Sequence, residues 1–404
     1  MTEQTLSDVK VVEWGSFISA PYCTKLMADM GAEVIKIETP GIGDDSRNYG
    51  PFFNDVPDSE ASGLFLYLNT NKLGVTLDLS QQTGREMLLK LLKDADILVT
   101  NHTPRFMKKL KLDFNSLKKV NPNLIMTTIT PFGLTGPYKD WKAYDLNICA
   151  LGGITNAIGT PDREPITPPL SQGGYQSGLI SAIATLMALF ARDMTGKGLQ
   201  IDIGEVECWA TFHIGVAAQS FLEEGRVRRR SGNRALHRPF PDEVIACKDG
   251  SISIDLPQKR QWQRFLDLIG NPEWANDPIF EDRLKTADEY CDQADDYLKQ
   301  WTMQHTKAEI FRMCQEKKVP CAPIRTMEEV VNDEHLKGRE YFVDIKHPKT
   351  GSLKYPGVGY KLSKTPFTAR RPAPLLGEHN EEIYCRRLGL SKEELVALRR
   401  AEVI

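Results

Sequence analysis

The sequence predicts an α/β fold with a mostly parallel sheet, and three observations carry that reading. Over the first 200 residues, short apolar strand-like runs alternate with segments of helical periodicity. The chain has 404 residues, 41% of them apolar and 26% charged, which is enough for a sizeable core in one large domain or two to three ordinary ones. Internal repeats are absent, and the composition excludes disordered and fibrous classes.

Residues 9–14 read as the first strand, 20–30 as a helix closed by Gly31, and 32–38 as the second strand. Residues 73–79 form the next strand-like run. In 83–93, Met87, Leu88, Leu91 and Leu92 fall on one helical face. Strands at 97–100 and 124–130 follow. The longest apolar stretch, 179–191, has 13 residues where a membrane span needs ~20, so it is expected to be a buried helix. A turn at Thr195, Gly196, Lys197 and Gly198 leads to a strand at 199–203 and a helix at 206–221. Residues 225–234 are basic and glycine-containing, as a linker would be. A smaller unit then combines strands at 244–246 and 251–255 with helices at 261–269, 292–304 and 307–316. A proline-rich passage, 320–323, opens a second linker, and the last helix is expected at 392–400.

Several function classes are disfavoured at once. Fifty-one basic against 54 acidic residues leave a net charge of −3, which supports neither a nucleic-acid nor an anionic-membrane surface. The arginine group Arg226, Arg228, Arg229, Arg230 and Arg234 lacks interleaved aromatics and reads as a linker or a solvated face. The 8 cysteines are scattered, as reduced thiols in a cytoplasmic protein would be. Seven histidines show no paired metal-ligand spacing. The first strand-to-helix turn, Trp14 to Pro21, has neither G-x-G-x-x-G nor a P-loop pattern, so no standard nucleotide phosphate loop is expected. The N-terminus shows no charged-then-apolar leader.

Nine motifs stand in order along the chain: Gly31-Ala32-Glu33-Val34-Ile35-Lys36-Ile37-Glu38; Pro40-Gly41 to Gly43-Asp44 with Arg47; Asn69-Thr70-Asn71-Lys72; Phe132-Gly133 to Gly136-Pro137-Tyr138; Tyr144-Asp145; Thr195-Gly196-Lys197-Gly198; Arg230-Ser231-Gly232-Asn233; Val319-Pro320-Cys321-Ala322-Pro323; and Leu376-Gly377-Glu378-His379. Each alone is weak, but together and in this order they resemble the class III CoA-transferases. That family includes formyl-CoA, carnitine and benzylsuccinate CoA-transferases and the 2-methylacyl-CoA racemases. The resemblance implies a Rossmann-like large domain built from both chain ends, a smaller α+β domain from the middle, and an interlocked-ring dimer. The expected division is 1–204 and 351–404 for the large domain, 236–322 for the small one, and linkers at 205–235 and 323–350.

It also implies a chemistry. In the family an aspartate attacks an acyl-CoA thioester, passing through a mixed anhydride and an aspartyl-CoA thioester before an acceptor acid takes the CoA. CoA and acyl-CoA are thus substrates, and no permanently bound cofactor is expected. Counting back from Arg192 and the Thr195–Gly198 turn, the nucleophile position falls on Gly174. The run Ser171 to Gly178 holds no carboxylate; Glu164 lies ten positions earlier and Asp193 at the far end of the helix. Tyr144 and Gly174 also replace the His-Asp pair of the racemase branch. Pro257 stands where the family carries a glycine in a mobile loop, which disfavours a flexible lid.

On the same resemblance, CoA contacts fall on Leu77, Asn101, Lys109, Lys142, Tyr144 and Asp145. Lys109 keeps the charge of an arginine but not its bidentate fork. Thr39 and Ile18 replace an arginine and a glutamine of relatives, and His379 is expected to be a structural hydrogen-bonding residue. The expectation is a catalytically silent subunit, paired with a homologous aspartate-bearing subunit, in an enzyme moving CoA from succinyl-CoA to an aromatic dicarboxylate such as benzylsuccinate. The alternatives are an active homodimer using Asp162 or Glu164 as substitute nucleophile, and a non-enzymatic acyl-CoA-binding protein.

Overall fold

The computed structural model describes residues 4–211, 221–223, 225, 227, 230–234 and 238–404. They fall into two compact units. The first comprises Met1–Thr155, Thr167–Val227 and Lys337–Ile404, and the second Asn156–Ile166 and Arg228–Leu336. Both chain ends therefore build the first unit.

In the first unit, β1 (Lys10–Trp14), β2 (Glu33–Glu38), β3 (Leu73–Thr76), β4 (Ile97–Thr100), β5 (Ile125–Thr130) and β6 (Gln200–Gly204) form one parallel sheet. Its strand order is β3-β2-β1-β4-β5-β6. The helices of this half are α1 (Ser19–Asp29), α2 (Gly63–Leu68), α3 (Gln82–Leu92), α4 (Pro104–Leu110), α5 (Phe114–Leu117), α6 (Asp145–Leu151), α7 (Ile154–Ala157), α8 (Gln172–Thr195) and α9 (Glu205–Trp209). The inner strands β4 and β5 are buried on both faces, which is why they read as runs without alternation. Val12, Trp14, Leu98 and Met126 point to a core shared with α3 and the C-terminal residues Tyr384, Leu395 and Ile404. Val11, Val34, Ile97 and Val99 point the other way, onto Cys23 and Met27 of α1 and Ala182 and Leu189 of α8.

The C-terminal segment secures the β3 edge. Gly74 N–H donates to His379 Nδ1 (3.1 Å), Thr76 N–H to Asn380 Oδ1 (2.9 Å), and Tyr384 O–H to the Thr76 carbonyl (2.8 Å). His379 is thus a structural hydrogen-bonding residue. A Cβ on Gly74 would stand 2.6 Å from Pro374, so this contact requires glycine.

The second unit is α+β. Strands Asp242–Cys247, Gly250–Asp255 and Cys321–Pro323 form an antiparallel sheet covered by helices Lys259–Leu268, Cys291–Thr302 and Lys307–Glu316. Its core is aromatic, with Phe240, Trp262, Phe265 and Phe280 buried together. Arg283 donates to the Phe240, Leu256 and Pro257 carbonyls, pinning the segment that carries Pro257. Of the basic stretch, Arg230 donates to the Thr160 and Arg163 carbonyls and Arg234 pairs with Asp292, Asp295 and Glu243. Arg226, Arg228 and Arg229 lie outside the described residues.

Residues 323–350, expected as a linker, contain the passage from the second unit back to the first at Leu336 and Lys337, and hold the short helices Met327–Val331 and Glu334–Gly338 and the strand Phe342–His347. Two sequence expectations need correction. The strand expected over 73–79 ends at Thr76. The apolar stretch 179–191 belongs to a 24-residue helix that is long and apolar enough to cross a membrane, and 39% of its apolar window is buried. Its small residues Ser177, Gly178, Ser181, Ala182 and Thr185 face inward, where they allow close approach to α1 and the sheet. Several of its large residues face out: Met187 is 67% exposed, Phe190 70% and Met194 75%. Of the helix expected over 206–221, the described part is α9; most of the remainder lies outside the described residues.

Candidate active site

The strand order reverses between β1 and β4, so the chain leaves these neighbouring strands in opposite directions and opens a crevice at their carboxyl ends. Residues 15–18 leave β1 there, and Asn101 and His102 leave β4. Asn101 clamps the two turns: its Oδ1 accepts from Ser16 N–H (3.0 Å), and its Nδ2 donates to the Ser16 carbonyl (2.7 Å) and Ser19 Oγ (3.3 Å). A Cβ at Gly15 would meet Ala20 at 2.5 Å, so only glycine lets the turn pass. Phe17 sits in the left-handed region at φ 70°, with its N–H donating to Asp44 Oδ1 (3.0 Å).

A buried ion network holds this turn from below. Lys36 Nζ lies 2.6 Å from both Glu13 and Asp44, and Lys72 Nζ 2.8 Å from Glu13. Burial works against the charge on Lys36, but the carboxylates of Asp44 and Glu13 outweigh it and hold its pKa above the ordinary lysine value. Lys72, with one carboxylate partner, is brought down by burial to about 8. Arg47 pairs with Glu38 (2.6 Å) and Glu60 (2.7 Å). The residues of the Gly31–Glu38, Gly43–Arg47 and Asn69–Lys72 motifs are therefore scaffolding for the turn.

Next to Asn101, His102 packs at 4.1 Å from the Trp14 ring and 5.3 Å from Phe106. Burial depresses its pKa to about 4, so the imidazole is neutral at physiological pH.

The second half of the site is the amino end of α8. Gly173 N–H donates to Asp145 Oδ1 (2.8 Å), so a carboxylate from α6 caps the first turn of α8. Burial raises the Asp145 pKa, and the Gly173 and Gly174 amides oppose it. Gly174 and Gly178 face α1. A Cβ on Gly174 would lie 2.9 Å from Ile18 Cβ and Cγ2, and one on Gly178 2.7 Å from the Ser19 carbonyl. Beneath this turn, Glu205 of α9 is buried beside Ser177, whose Oγ is 3.1 Å from its Oε1, and burial raises its pKa to about 7.

The structure brings together some of the residues singled out from the sequence and separates others. Asn101 stands at the crevice, but its amide is committed to the Ser16 turn. Asp145 and Gly174 meet at the end of α8, and Ile18 joins the two halves. Tyr144 is 76% exposed and begins α6, with its N–H donating to Asn147 Oδ1 (3.0 Å). Lys109, on α4, and Lys142 are exposed cations. Leu77, expected as an apolar contact to CoA, lies in the hydrophobic core, 2% exposed, with its N–H donating to the Glu38 carbonyl (2.8 Å). Asp162 and Glu164, the candidate substitutes for the nucleophile, are exposed residues of the second unit. Glu205 was not singled out; it shares a short helix with the exposed Glu207, and nothing in the sequence distinguishes the two. Among the described residues there is no group of three or more His, Cys, Asp or Glu side chains able to hold a metal ion.

Comparison with known proteins adds a family to this geometry. The model of CoA-transferase family III matches residues 6–380. The chain is 33% identical to a succinyl-CoA–D-citramalate CoA-transferase of Chloroflexus aurantiacus, covering 99% of this chain and 98% of that one. It is 31% identical to the beta subunit of a succinyl-CoA–L-malate CoA-transferase from the same organism, covering 100% and 99%. Among solved structures, a CaiB/BaiF family protein from Brucella suis superimposes with a TM-score of 0.86 at 30% identity, covering 95% of this chain and 99% of that one.

Proposed function

This chain belongs to CoA-transferase family III, and from that premise we propose that it is the catalytically silent subunit of a heteromeric CoA-transferase. The enzyme would move CoA from succinyl-CoA to a carboxylic acid, with an aromatic dicarboxylate such as benzylsuccinate as the favoured acceptor. The observation that carries the reading is Gly174: the nucleophile position has no carboxylate, and Ile18 fills the space a side chain there would need. That two-subunit CoA-transferases exist among its relatives supports the pairing, since both the alpha and the beta subunit of the succinyl-CoA–L-malate enzyme are 31% identical to this chain. The acceptor rests on resemblance to two-subunit members acting on aromatic dicarboxylates, and the donor on the succinyl-CoA relatives.

The uncovered face of α8 supports a partner. Leu179, Ile183, Met187, Phe190 and Met194 recur at helical spacing and stand exposed on one side. An interlocked pairing with an aspartate-bearing homologue would cover them. Eight unpaired cysteines fit a reducing cytoplasm.

A second reading has its own observation: Asp145 places a carboxylate at the amide end of α8, where an active homodimer would want one. One experiment separates the two. The complex is purified through a tag on this chain, its intact masses are measured, and succinyl-CoA-dependent transfer is assayed. Two polypeptides, the second with an aspartate at the position of Gly174, are expected. A single polypeptide that transfers CoA overturns the silent-subunit reading and directs attention to Asp145.

A further inference from the structure

The buried acid under α8 shares a single serine hydroxyl with two backbone carbonyls. Ser177 Oγ has three acceptors in range: the Gly173 carbonyl at 2.8 Å, the Gly174 carbonyl at 3.2 Å and Glu205 Oε1 at 3.1 Å. A hydroxyl carries one proton. When it donates to Gly173, the ordinary back-bond of a helical serine, the contact with Glu205 is satisfied only if Glu205 supplies the hydrogen. The same residue is held from its other side, where Gly173 N–H donates to Asp145 Oδ1 at 2.8 Å.

The surroundings favour a neutral acid. Burial and the like charge of Asp145 from α6 disfavour the carboxylate, and they outweigh the hydroxyls of Ser19 on α1 and Ser177 on α8, which favour it. Its own helix contributes Glu207 and the Cys208 thiol, whose pKa burial and both carboxylates raise. Among the described residues, no lysine, arginine or histidine pairs with Glu205.

We propose that Glu205 is a positioning residue for the first turn of α8 that works as a neutral acid. Its O–H donates to Ser177 Oγ and leaves the serine proton on the Gly173 carbonyl, whereas loss of the Glu205 proton turns the serine hydroxyl toward the new carboxylate and releases that carbonyl. The proton leaves to solvent, and no other bond forms or breaks. The inference stands on the local geometry of α8 and is independent of whether the chain is a silent subunit.

The test uses the full-length chain, alone and with whatever partner co-purifies. Infrared spectra between about pH 6 and pH 8 should contain a carboxylic-acid C=O band that fades as pH rises and is missing from Glu205→Gln. Hydrogen exchange of the peptide covering residues 172–178, corrected for the intrinsic pH dependence, should quicken roughly five- to tenfold over the same range, about the worth of one hydrogen bond. Glu205→Gln keeps a permanent donor and should hold the slow, low-pH rate throughout. Ser177→Ala should keep the infrared band and lose the pH dependence of exchange. A Glu205→Gln protein with an unchanged acid band, or with the wild-type pH dependence of exchange, would overturn the proposal. If that variant does not fold, wild-type exchange that ignores pH, or a Ser177→Ala protein that keeps the full dependence, does the same.

Discussion

Ile18 occupies the space into which any side chain at position 174 would project, with a Cβ built on Gly174 lying 2.9 Å from both Ile18 Cβ and Cγ2. Gly174 and Ile18 are thus a fitted pair: on the proposed reading, the missing carboxylate and the apolar filling of its space belong to one packing solution. Restoring only one member leaves the other in the way.

Gly174→Asp alone should therefore produce no measurable transfer from succinyl-CoA and should lower stability by about 1–3 kcal/mol, the usual cost of overpacking. Combining it with Ile18→Ala should recover most of that stability, because the truncation returns the missing volume. Urea midpoints of the two variants and the parent check this, alongside a transfer assay. A single mutant that is as stable as the parent and turns over would show that the site is not closed.

Much of this pair could be anticipated from the sequence, but not its geometry. The motif spacing places the nucleophile position on Gly174, and the apolar runs mark the strands because a parallel sheet is covered on both faces. Periodicity shows that 179–191 is an apolar helix; it cannot show which side is covered, and α8 buries its small residues together with Leu189 while exposing Met187 and Phe190. Leu77 is assigned an apolar CoA contact only through the family resemblance, and its burial in the core appears only once β2 and the C-terminal segment pack around β3. Lys36, Asp44 and Lys72 are motif residues whose shared role appears only when β1, β2 and the following loops come together. Glu205 differs from Glu207 only in which way a five-residue helix faces.

The network beneath Phe17 should be intolerant of single changes. Lys36→Met leaves Glu13 with one lysine and Asp44 with none, both carboxylates buried. The expected loss is about 3–5 kcal/mol, as for other buried pairs broken on one side. Guanidinium unfolding measures it. A loss within the range of an exposed ion pair, under about 1 kcal/mol, would mean that the network does not support the turn.

The exposed face of α8 makes an assembly prediction. Phe190→Glu places a charge in the middle of the apolar row and touches nothing in the interior. Circular dichroism of the isolated chain should be unchanged, while native mass spectrometry should show a shift from the assembled species to single chains. An assembly that persists with Phe190→Glu and Met187→Glu together would place the partner on another face.

His102 should govern part of the acid side of the stability profile. Burial between Trp14 and Phe106 holds its pKa near about 4, below the ordinary 6.5. The unfolded chain therefore takes up this proton first as pH falls, and the folded chain resists it until about 4. Stability contributed by the neutral ring is complete above 6.5 and is lost progressively between 6.5 and about 4. His102→Phe keeps an aromatic ring against Trp14 and cannot be protonated, so its urea midpoint should fall less steeply than the parent's across that interval and match its slope above neutrality. Parallel slopes for the two proteins on the acid side would show that His102 is protonated as readily in the fold as outside it.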